Sequence, residues 1–216
     1  YDELTADLDK VKAANPASDF SAFYMPGQYW YGGLQWVWDA GGEIATDKGG
    51  KWTGTLDSAD AVKGLTAWKD FQNAYSAKST QDINTDKPSQ SDVFAQGNTS
   101  AFLGSAWEIG SITTAKPELA DRIGTFPMPS STAGKTQPVF LGGSDLGIPA
   151  KAENQELALY YLKILTSKEF QQDQVFGVDG WEPNSTELLD AVAGDVDELH
   201  KPYFEAAGTS RPTPAT

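Results

Sequence analysis

Near the middle of the chain the sequence reads Ala101-Phe102-Leu103-Gly104-Ser105-Ala106-Trp107-Glu108. Residues 101–104 have the small and apolar side chains of a buried strand, and Ser105 is a typical N-cap for a helix that runs to about residue 115. In α/β proteins, ligands bind where strands end and helices begin. The pattern therefore predicts α/β architecture and makes Trp107 and Glu108 candidate ligand-binding residues. Glu108 could accept hydroxyl hydrogen bonds or could simply be a partner of the helix dipole.

Helical and extended segments continue on both sides of this unit. Apolar residues at helical spacing, together with capping and breaking residues, predict helices at residues 1–14, 29–40, 58–76, 93–97, 105–115, 153–166, 167–177 and 184–193. Short strands are predicted at 20–25, 101–104 and 123–129, with an extended segment at 139–148. Helices outnumber strands, so the expected fold is helix-rich α/β with a small mixed sheet.

Composition excludes several classes of function. The chain of 216 residues carries 16 basic and 30 acidic residues, a formal charge of −14, which repels nucleic acids and anionic membranes. There is no Cys and a single His, His200, so we expect no disulfide, no Cys- or His-based metal site and no cofactor. No nucleophile motif lies beside His200, which makes a catalytic triad a poor interpretation. We expect His200 to end a helix, just before Pro202.

A second candidate segment is rich in aromatic residues. Five of the ten residues are aromatic in Tyr29-Trp30-Tyr31-Gly32-Gly33-Leu34-Gln35-Trp36-Val37-Trp38. A helix core needs only some of these rings, and a flat ring can pack on the C–H face of a sugar. Tyr31 is the first candidate. Helical geometry favours Trp36 over Trp30 as the residue that widens the site, because Trp36 shares a face with Tyr29 and Gly33. The alternative is that all of these rings pack internally.

A third candidate is the loop after Phe140. Gly142 and Gly143 would let the backbone approach a ligand closely, and Ser144 and Asp145 add short polar groups. Gly-Gly-Ser also occurs in ordinary bends, so this loop is a candidate only together with the other two segments.

The order of these and other segments resembles a known family. They run Tyr1-Asp2-Glu3-Leu4, Asp39-Ala40-Gly41-Gly42-Glu43-Ile44, Leu56-Asp57-Ser58-Ala59-Asp60-Ala61, Phe94-Ala95-Gln96-Gly97-Asn98-Thr99-Ser100-Ala101-Phe102, Gly104-Ser105-Ala106-Trp107, Phe140-Leu141-Gly142-Gly143-Ser144 and Gly180-Trp181-Glu182-Pro183. Over nearly the whole chain, this order and spacing are similar to those of the maltose-binding-like extracellular solute-binding proteins.

The resemblance implies a two-lobe, periplasmic-binding-protein-like fold that closes on a sugar. Tyr31, Trp107 and residues 142–144 would border the cleft. Trp181 would lie in a cleft-edge loop, where the family more often has a small aliphatic residue.

The resemblance also implies a domain organisation. Residues 1–139 would form the C-terminal ligand-binding lobe, residues 140–194 would cross into the N-terminal lobe, and residues 195–216 would return. Because the crossing segment would then lack its packing partner, we expect an exposed apolar patch around Leu157, Tyr161 and Ile164, unless another chain covers it.

The function implied is that of a bacterial, non-enzymatic component of a carbohydrate ABC importer. Its partners would be a carbohydrate, more specifically an oligosaccharide, and the permease subunits. It would be extracellular, either periplasmic or a cell-surface lipoprotein, and would meet the membrane only through a lipid anchor outside this chain. The alternatives are a glycoside hydrolase domain with paired carboxylates and an interaction module with its aromatic rings inside. If the sugar-binding interpretation holds, Tyr31, Trp107 and Glu108 should line one groove.

Overall fold

The computed structural model describes residues 1–84 and 87–214. The helices are α1 (Asp2–Ala14), α2 (Trp30–Asp39), α3 (Ala59–Tyr75), α4 (Gln90–Ala95), α5 (Trp107–Ala115), α6 (Gln155–Leu165), α7 (Lys168–Phe170), α8 (Thr186–Val192) and α9 (Lys201–Ala207). Strands β1 (Ala45–Asp47) and β2 (Trp52–Gly54) form an antiparallel hairpin. Short 3-10 turns cover Lys78–Thr80, Pro117–Arg122 and Ala193–Asp195, and a π-helical turn covers Gln171–Phe176. Residues 215 and 216, at the end of the predicted return segment, lie outside the described residues.

The helices predicted from the sequence are confirmed, with three informative differences. Helix α5 begins at Trp107 after Ala106 and has no side-chain cap, so Ser105 is not its N-cap. Helix α4 begins earlier than predicted because the Ser89 hydroxyl caps it, accepting a hydrogen bond from the Asp92 N–H at 3.2 Å. Helix α9 was not predicted at all. His200 precedes its first residue and therefore begins a helix rather than ending one, which corrects the expectation. Pro202 favours this arrangement, since proline is well tolerated in the first turn of a helix.

The predicted strands form single bridges instead of a regular ladder. Residues 20–25 and the segment before α5 meet only at parallel bridges between Ser21 and Thr99 and between Tyr24 and Phe102. A side chain shares one of the backbone hydrogen bonds between these segments. The Tyr24 N–H donates to the Ala101 carbonyl (2.7 Å) and also to the Thr99 hydroxyl (3.1 Å).

The strand predicted at 123–129 is also absent. The structure has only one antiparallel bridge there, from Pro129 to Thr136. Pro127 and Pro129 explain the difference, because proline has no N–H to donate to a ladder.

The core lies where residues 20–25 pass between α1, α2 and α3. Its buried members are Leu8, Ala22, Phe23, Met25, Trp36, Phe71 and Met128. Phe23 and Phe71 pack edge to face with ring centroids 5.2 Å apart. Helices α2 and α3 approach so closely that a Cβ on Gly64 would lie 2.4 Å from the Trp36 carbonyl oxygen. Helix α2 is thereby held tightly against α3, which forms a rigid base for it.

A short pairing ties the end of the chain to its middle. The Arg211 N–H donates to the Val139 carbonyl (2.8 Å), and the Leu141 N–H donates to the Arg211 carbonyl (2.9 Å). The Arg211 guanidinium also binds Glu43 at 2.6 Å and lies 5.4 Å from the ring centroid of Trp38. This pairing fixes Phe140 beside the start of α2.

Helix α6 has no buried residue. Leu157, Tyr161 and Ile164 are 67%, 59% and 42% exposed, so the expected apolar patch is confirmed. Across the described ranges, the helices are too short or too polar to span a membrane.

Candidate functional site

The N-termini of α2 and α5 are neighbours. A Cβ on Gly32 would lie 3.1 Å from Cδ2 of Leu103, so the first turn of α2 packs on the segment that leads into α5. The Gln90 side-chain amide donates to the Leu103 carbonyl at 3.0 Å, which holds α4 against the segment that leads into α5. The two segments that the sequence analysis selected as ligand-binding are thus brought together.

Both helix starts carry an exposed aromatic side chain. Tyr31 is 40% exposed and Trp107 is 45% exposed, although most of the remaining aromatic rings of α2 are buried. Within the described residues, Trp107 makes no contact with another aromatic ring, whereas Tyr31 makes several. Trp107 therefore stands apart from the other aromatic rings, whereas Tyr31 belongs to a packed aromatic group.

That group is the aromatic cluster, which we define as Trp30, Tyr31 and Phe140. The ring centroids of Trp30 and Tyr31 are 3.7 Å apart with 30° between the planes. Phe140 lies 5.6 Å from Trp30 and 5.0 Å from Tyr31. Two parts of the chain far apart in sequence thereby build one aromatic surface.

Trp36 does not border this surface. It is 3% exposed and packs in the core against Phe71, with ring centroids 5.5 Å apart, so the expectation that it widens a groove is corrected. The face that Trp36 shares with Gly33 is the one covered by α3, where a Cβ on Gly33 would lie 2.9 Å from the Trp68 ring. Trp30, in the first turn, is the exposed tryptophan of α2 at 49%.

Glu108 lies beneath the helix starts rather than in an open groove, which corrects the second expectation. It is 5% exposed, and its Oε2 accepts a hydrogen bond from the Ser105 N–H at 2.8 Å. The Ser91 N–H also donates to its carboxyl group. Glu108 thus joins the first turns of α4 and α5, in agreement with the helix-dipole alternative.

Burial governs the ionisation of the groups around Glu108. It raises the pKa of Glu108 to about 7, against the effect of the two N–H donors. Burial also raises the pKa of Tyr29 to about 12, with a further contribution from Glu108. Tyr203 of α9 has its pKa raised to about 12 by burial and then by Glu108, Glu182 and Tyr29. Tyr203 is the residue that the sequence analysis missed, because α9 was not predicted; the Pro202 helix-start signal could have indicated it.

The other candidate residues lie at the margins. Gly142, Gly143, Ser144 and Asp145 are all exposed, and the loop they form begins against the aromatic cluster, where a Cβ on Gly142 would lie 3.4 Å from the Phe140 ring. Trp181 is 48% exposed, and its neighbour Gly180 lies beside His200 at the start of α9. Their roles in binding stay predictions.

Replacing Glu108 with glutamine is expected to stabilise the protein at high pH. The folded-state pKa of about 7 lies above the ordinary 4.5, so the folded protein keeps a proton that the unfolded chain loses. Stability is therefore lost as pH rises from about 4.5 to about 7, and the Gln side chain, which cannot ionise, should recover about 3 kcal/mol above pH 7. Urea unfolding of both proteins at about pH 5 and pH 8 measures this, and an equal difference at the two pH values would contradict it.

No group of three or more His, Cys, Asp or Glu side chains in residues 1–84 and 87–214 is arranged to hold a metal ion. The arrangement offers instead flat apolar rings beside helix starts. Such surfaces bind ligands that have a flat C–H face and a polar rim.

Comparison with known proteins identifies the family. The family described as bacterial extracellular solute-binding protein matches residues 1–201. The chain belongs to this family. The resemblance inferred from the order of segments is therefore confirmed.

Among curated relatives of this solute-binding protein is the diacetylchitobiose binding protein DasA of Streptomyces coelicolor. The two are 32% identical over 213 residues, which cover 99% of this chain and 48% of DasA. The chain thus spans about half the length of this relative.

Solved structures of solute-binding proteins share the fold. A cyclo/maltodextrin-binding protein complexed with maltotetraose has a TM-score of 0.70 at 19% identity, covering 100% of this chain and 54% of that one. The sugar-binding protein MalE of Xanthomonas citri has a TM-score of 0.70 at 18% identity, covering 97% and 52%. The predicted fold class is confirmed as a helix-rich α/β lobe of the periplasmic-binding-protein-like type. Its regular sheet, among the described residues, is the antiparallel β1–β2 hairpin and not the small mixed sheet that was expected.

Proposed function

We propose that this solute-binding protein captures a carbohydrate, and specifically an oligosaccharide, for an ABC importer. The observation that carries the proposal is the pair of exposed aromatic sites, Trp107 and the aromatic cluster, at two adjacent helix starts. Exposed rings held on rigid helices suit the stacking of sugar rings. The 32% identity to a protein named for diacetylchitobiose binding supports a ligand of this chemical class.

In this proposal Tyr31, Trp107 and Trp181 supply apolar contacts, and residues 142–145 supply polar groups at the rim. Residues 1–139 act as one lobe, 140–194 cross to a second lobe in the full-length protein, and 195–216 return. The exposed face of α6 would pack on that second lobe. Ligand binding would then shift the population from an open to a closed arrangement of the lobes.

The protein is proposed to deliver its ligand unchanged, outside the cell, to permease subunits, as a periplasmic protein or through a lipid anchor. A glycoside hydrolase needs a carboxyl group of raised pKa facing its substrate. Glu108 has the raised pKa, but it is 5% exposed and is engaged by the N–H groups of Ser105 and Ser91. This geometry favours a role in holding the helix starts over a role in catalysis.

Calorimetric titration of the full-length protein with N,N′-diacetylchitobiose, maltose and maltotetraose tests the proposal. We expect saturable binding of at least one sugar, a shift in tryptophan fluorescence as exposed rings are covered, and no new reducing ends after prolonged incubation. Failure to bind any member of a wide sugar panel would contradict the proposed ligand class. Release of shorter sugars would favour the hydrolase instead.

A further inference from the structure

Glu108 is a buried carboxyl group that joins α4 to the turn before α5. It is 5% exposed, and its Oε2 accepts a hydrogen bond from the Ser105 N–H at 2.8 Å. The Ser91 N–H of α4 also donates to its carboxyl group. A Cβ on Gly104 would lie 2.7 Å from the same Oε2, so the backbone of the turn packs directly on the carboxyl group. Glu108 thus supports the turn from which Trp107 projects.

The side chains that act on Glu108 do not neutralise a negative charge. Tyr29, just before α2, and Tyr203 of α9 interact electrostatically with its carboxyl group, and Glu182 acts on Tyr203 in turn. Burial raises the pKa of both tyrosines to about 12, so they stay neutral near pH 7. Among the described residues, no Lys, Arg or His forms an ion pair with Glu108. An ionised Glu108 therefore relies on two backbone N–H donors and on nearby water.

The surface closest to this carboxyl group along the chain is the proposed ligand platform. Ser105 and Trp107 are exposed, whereas Ala106 and Glu108 are buried. Because Ser105 binds the carboxyl group and is itself exposed, water can approach from this side. A sugar stacked on Trp107 would exclude part of that water, which disfavours the charged form of Glu108. Since burial already raises the pKa of Glu108 to about 7, a further rise would change its protonation near neutral pH.

We propose that Glu108 is a positioning residue that couples sugar binding at Trp107 to the uptake of a proton, so that affinity falls as its carboxyl group ionises. The proton comes from solvent and binds a carboxylate oxygen of Glu108. The neutral carboxyl group supports the turn without needing water, so the neutral form of the protein binds the sugar more tightly. This inference rests on the proposed function and adds a pH dependence to it.

Calorimetric titration of the full-length protein in two buffers tests the coupling. The probe is whichever of N,N′-diacetylchitobiose, maltose and maltotetraose binds most tightly. Phosphate and Tris differ in their heat of ionisation, so the difference in binding heat between them counts the protons taken up. If the sugar binds the neutral form about tenfold more tightly than the charged form, wild type should take up about half a proton at about pH 7.5 and almost none at about pH 5.5. The dissociation constant should then rise about eightfold between about pH 6 and about pH 9.

Two variants identify the group that takes up the proton. Glu108→Gln cannot ionise, so it should take up no proton and should keep its affinity as the pH rises. His200→Gln is the matched control, because His200 is the single histidine of this chain and begins the helix that carries Tyr203. Its ring nitrogen Nδ1 binds Asp197 at 2.8 Å, not Glu108. The His200→Gln protein should therefore keep the proton uptake of wild type.

Several results would overturn the inference. These are sugar binding by wild type without proton uptake, release of a proton on binding, uptake that persists in Glu108→Gln, and uptake that disappears in His200→Gln. If Glu108→Gln does not fold, wild type and His200→Gln still decide, since the uptake must be present in both. All of these results leave sugar binding itself in place. If wild type binds no sugar of the panel at any pH, the proposed function fails, and this inference fails with it.

Discussion

Replacing Trp107 with alanine is expected to lower the sugar affinity of the full-length protein by about a hundredfold, the scale of a buried aromatic contact at the centre of a binding site. Its ring is 45% exposed in the first turn of α5 and has no aromatic neighbour in the described residues, so the fold gains less from it than from a core tryptophan. The free energy of unfolding should therefore change by less than about 1 kcal/mol. Calorimetric titration gives the affinity, and urea unfolding gives the stability.

Two control variants show what the loss of a core tryptophan and of a surface tryptophan would do. Trp36→Ala removes a core ring that is 3% exposed and packed on Phe71, and should cost about 3–5 kcal/mol of stability. Trp52→Ala removes an exposed ring on the hairpin strand β2, which belongs to neither helix, and should change neither quantity appreciably. If Trp107→Ala behaved like Trp36→Ala and kept its affinity for sugar, Trp107 would be a structural residue and the proposed site would lose its main platform.

Trp30 and Trp36 show that the sequence did not predict which face of α2 is buried. Helical geometry correctly groups Trp36 with Gly33, but it does not tell which face of α2 is covered. The close approach of Trp68 of α3 to Gly33 decides that, and this contact joins residues far apart in the chain. Trp30 lies on the same side as the buried Leu34 and Val37 yet is exposed, because its side chain projects from the first turn, beyond the packed layer.

Local signals predicted the helices well, because spacing, caps and breakers act within a few residues. The strands at 20–25 and 101–104 were predicted as a sheet but bridge only singly, since some of their backbone donors bind hydroxyl groups instead, as the Met25 N–H binds that of Ser76 at 3.0 Å. Tyr203 could not be placed near Glu108 from the sequence, as nothing local connects α9 with α5. The sequence thus predicts the aromatic residues and the helix starts of the candidate site, but it does not predict the buried groups that pack beneath them.

A second large effect is expected where α3 supports α2. Replacing Gly64 with alanine should destabilise the protein by about 3 kcal/mol or more, which is the upper range for overpacking a core. A Cβ at this position in α3 would lie 2.4 Å from the Trp36 carbonyl oxygen and 2.6 Å from the Val37 Cα. Both atoms belong to the backbone of α2, which cannot move aside as a side chain can. Helices α2 and α3 would have to separate, and α2 carries Trp30 and Tyr31, so sugar affinity should fall as well.

Gly110→Ala is the matched control, because Gly110 is also a helical glycine, lies in α5 and has no atom within 4 Å of its Cβ position. There the higher helix propensity of alanine acts alone and should raise stability by about 0.5–1 kcal/mol. Urea unfolding of wild type and both variants of the full-length protein should therefore give changes of opposite sign. Stabilisation by Gly64→Ala equal to that by Gly110→Ala would show that α2 and α3 do not pack at this distance, and the rigid support assigned to the aromatic cluster would be wrong.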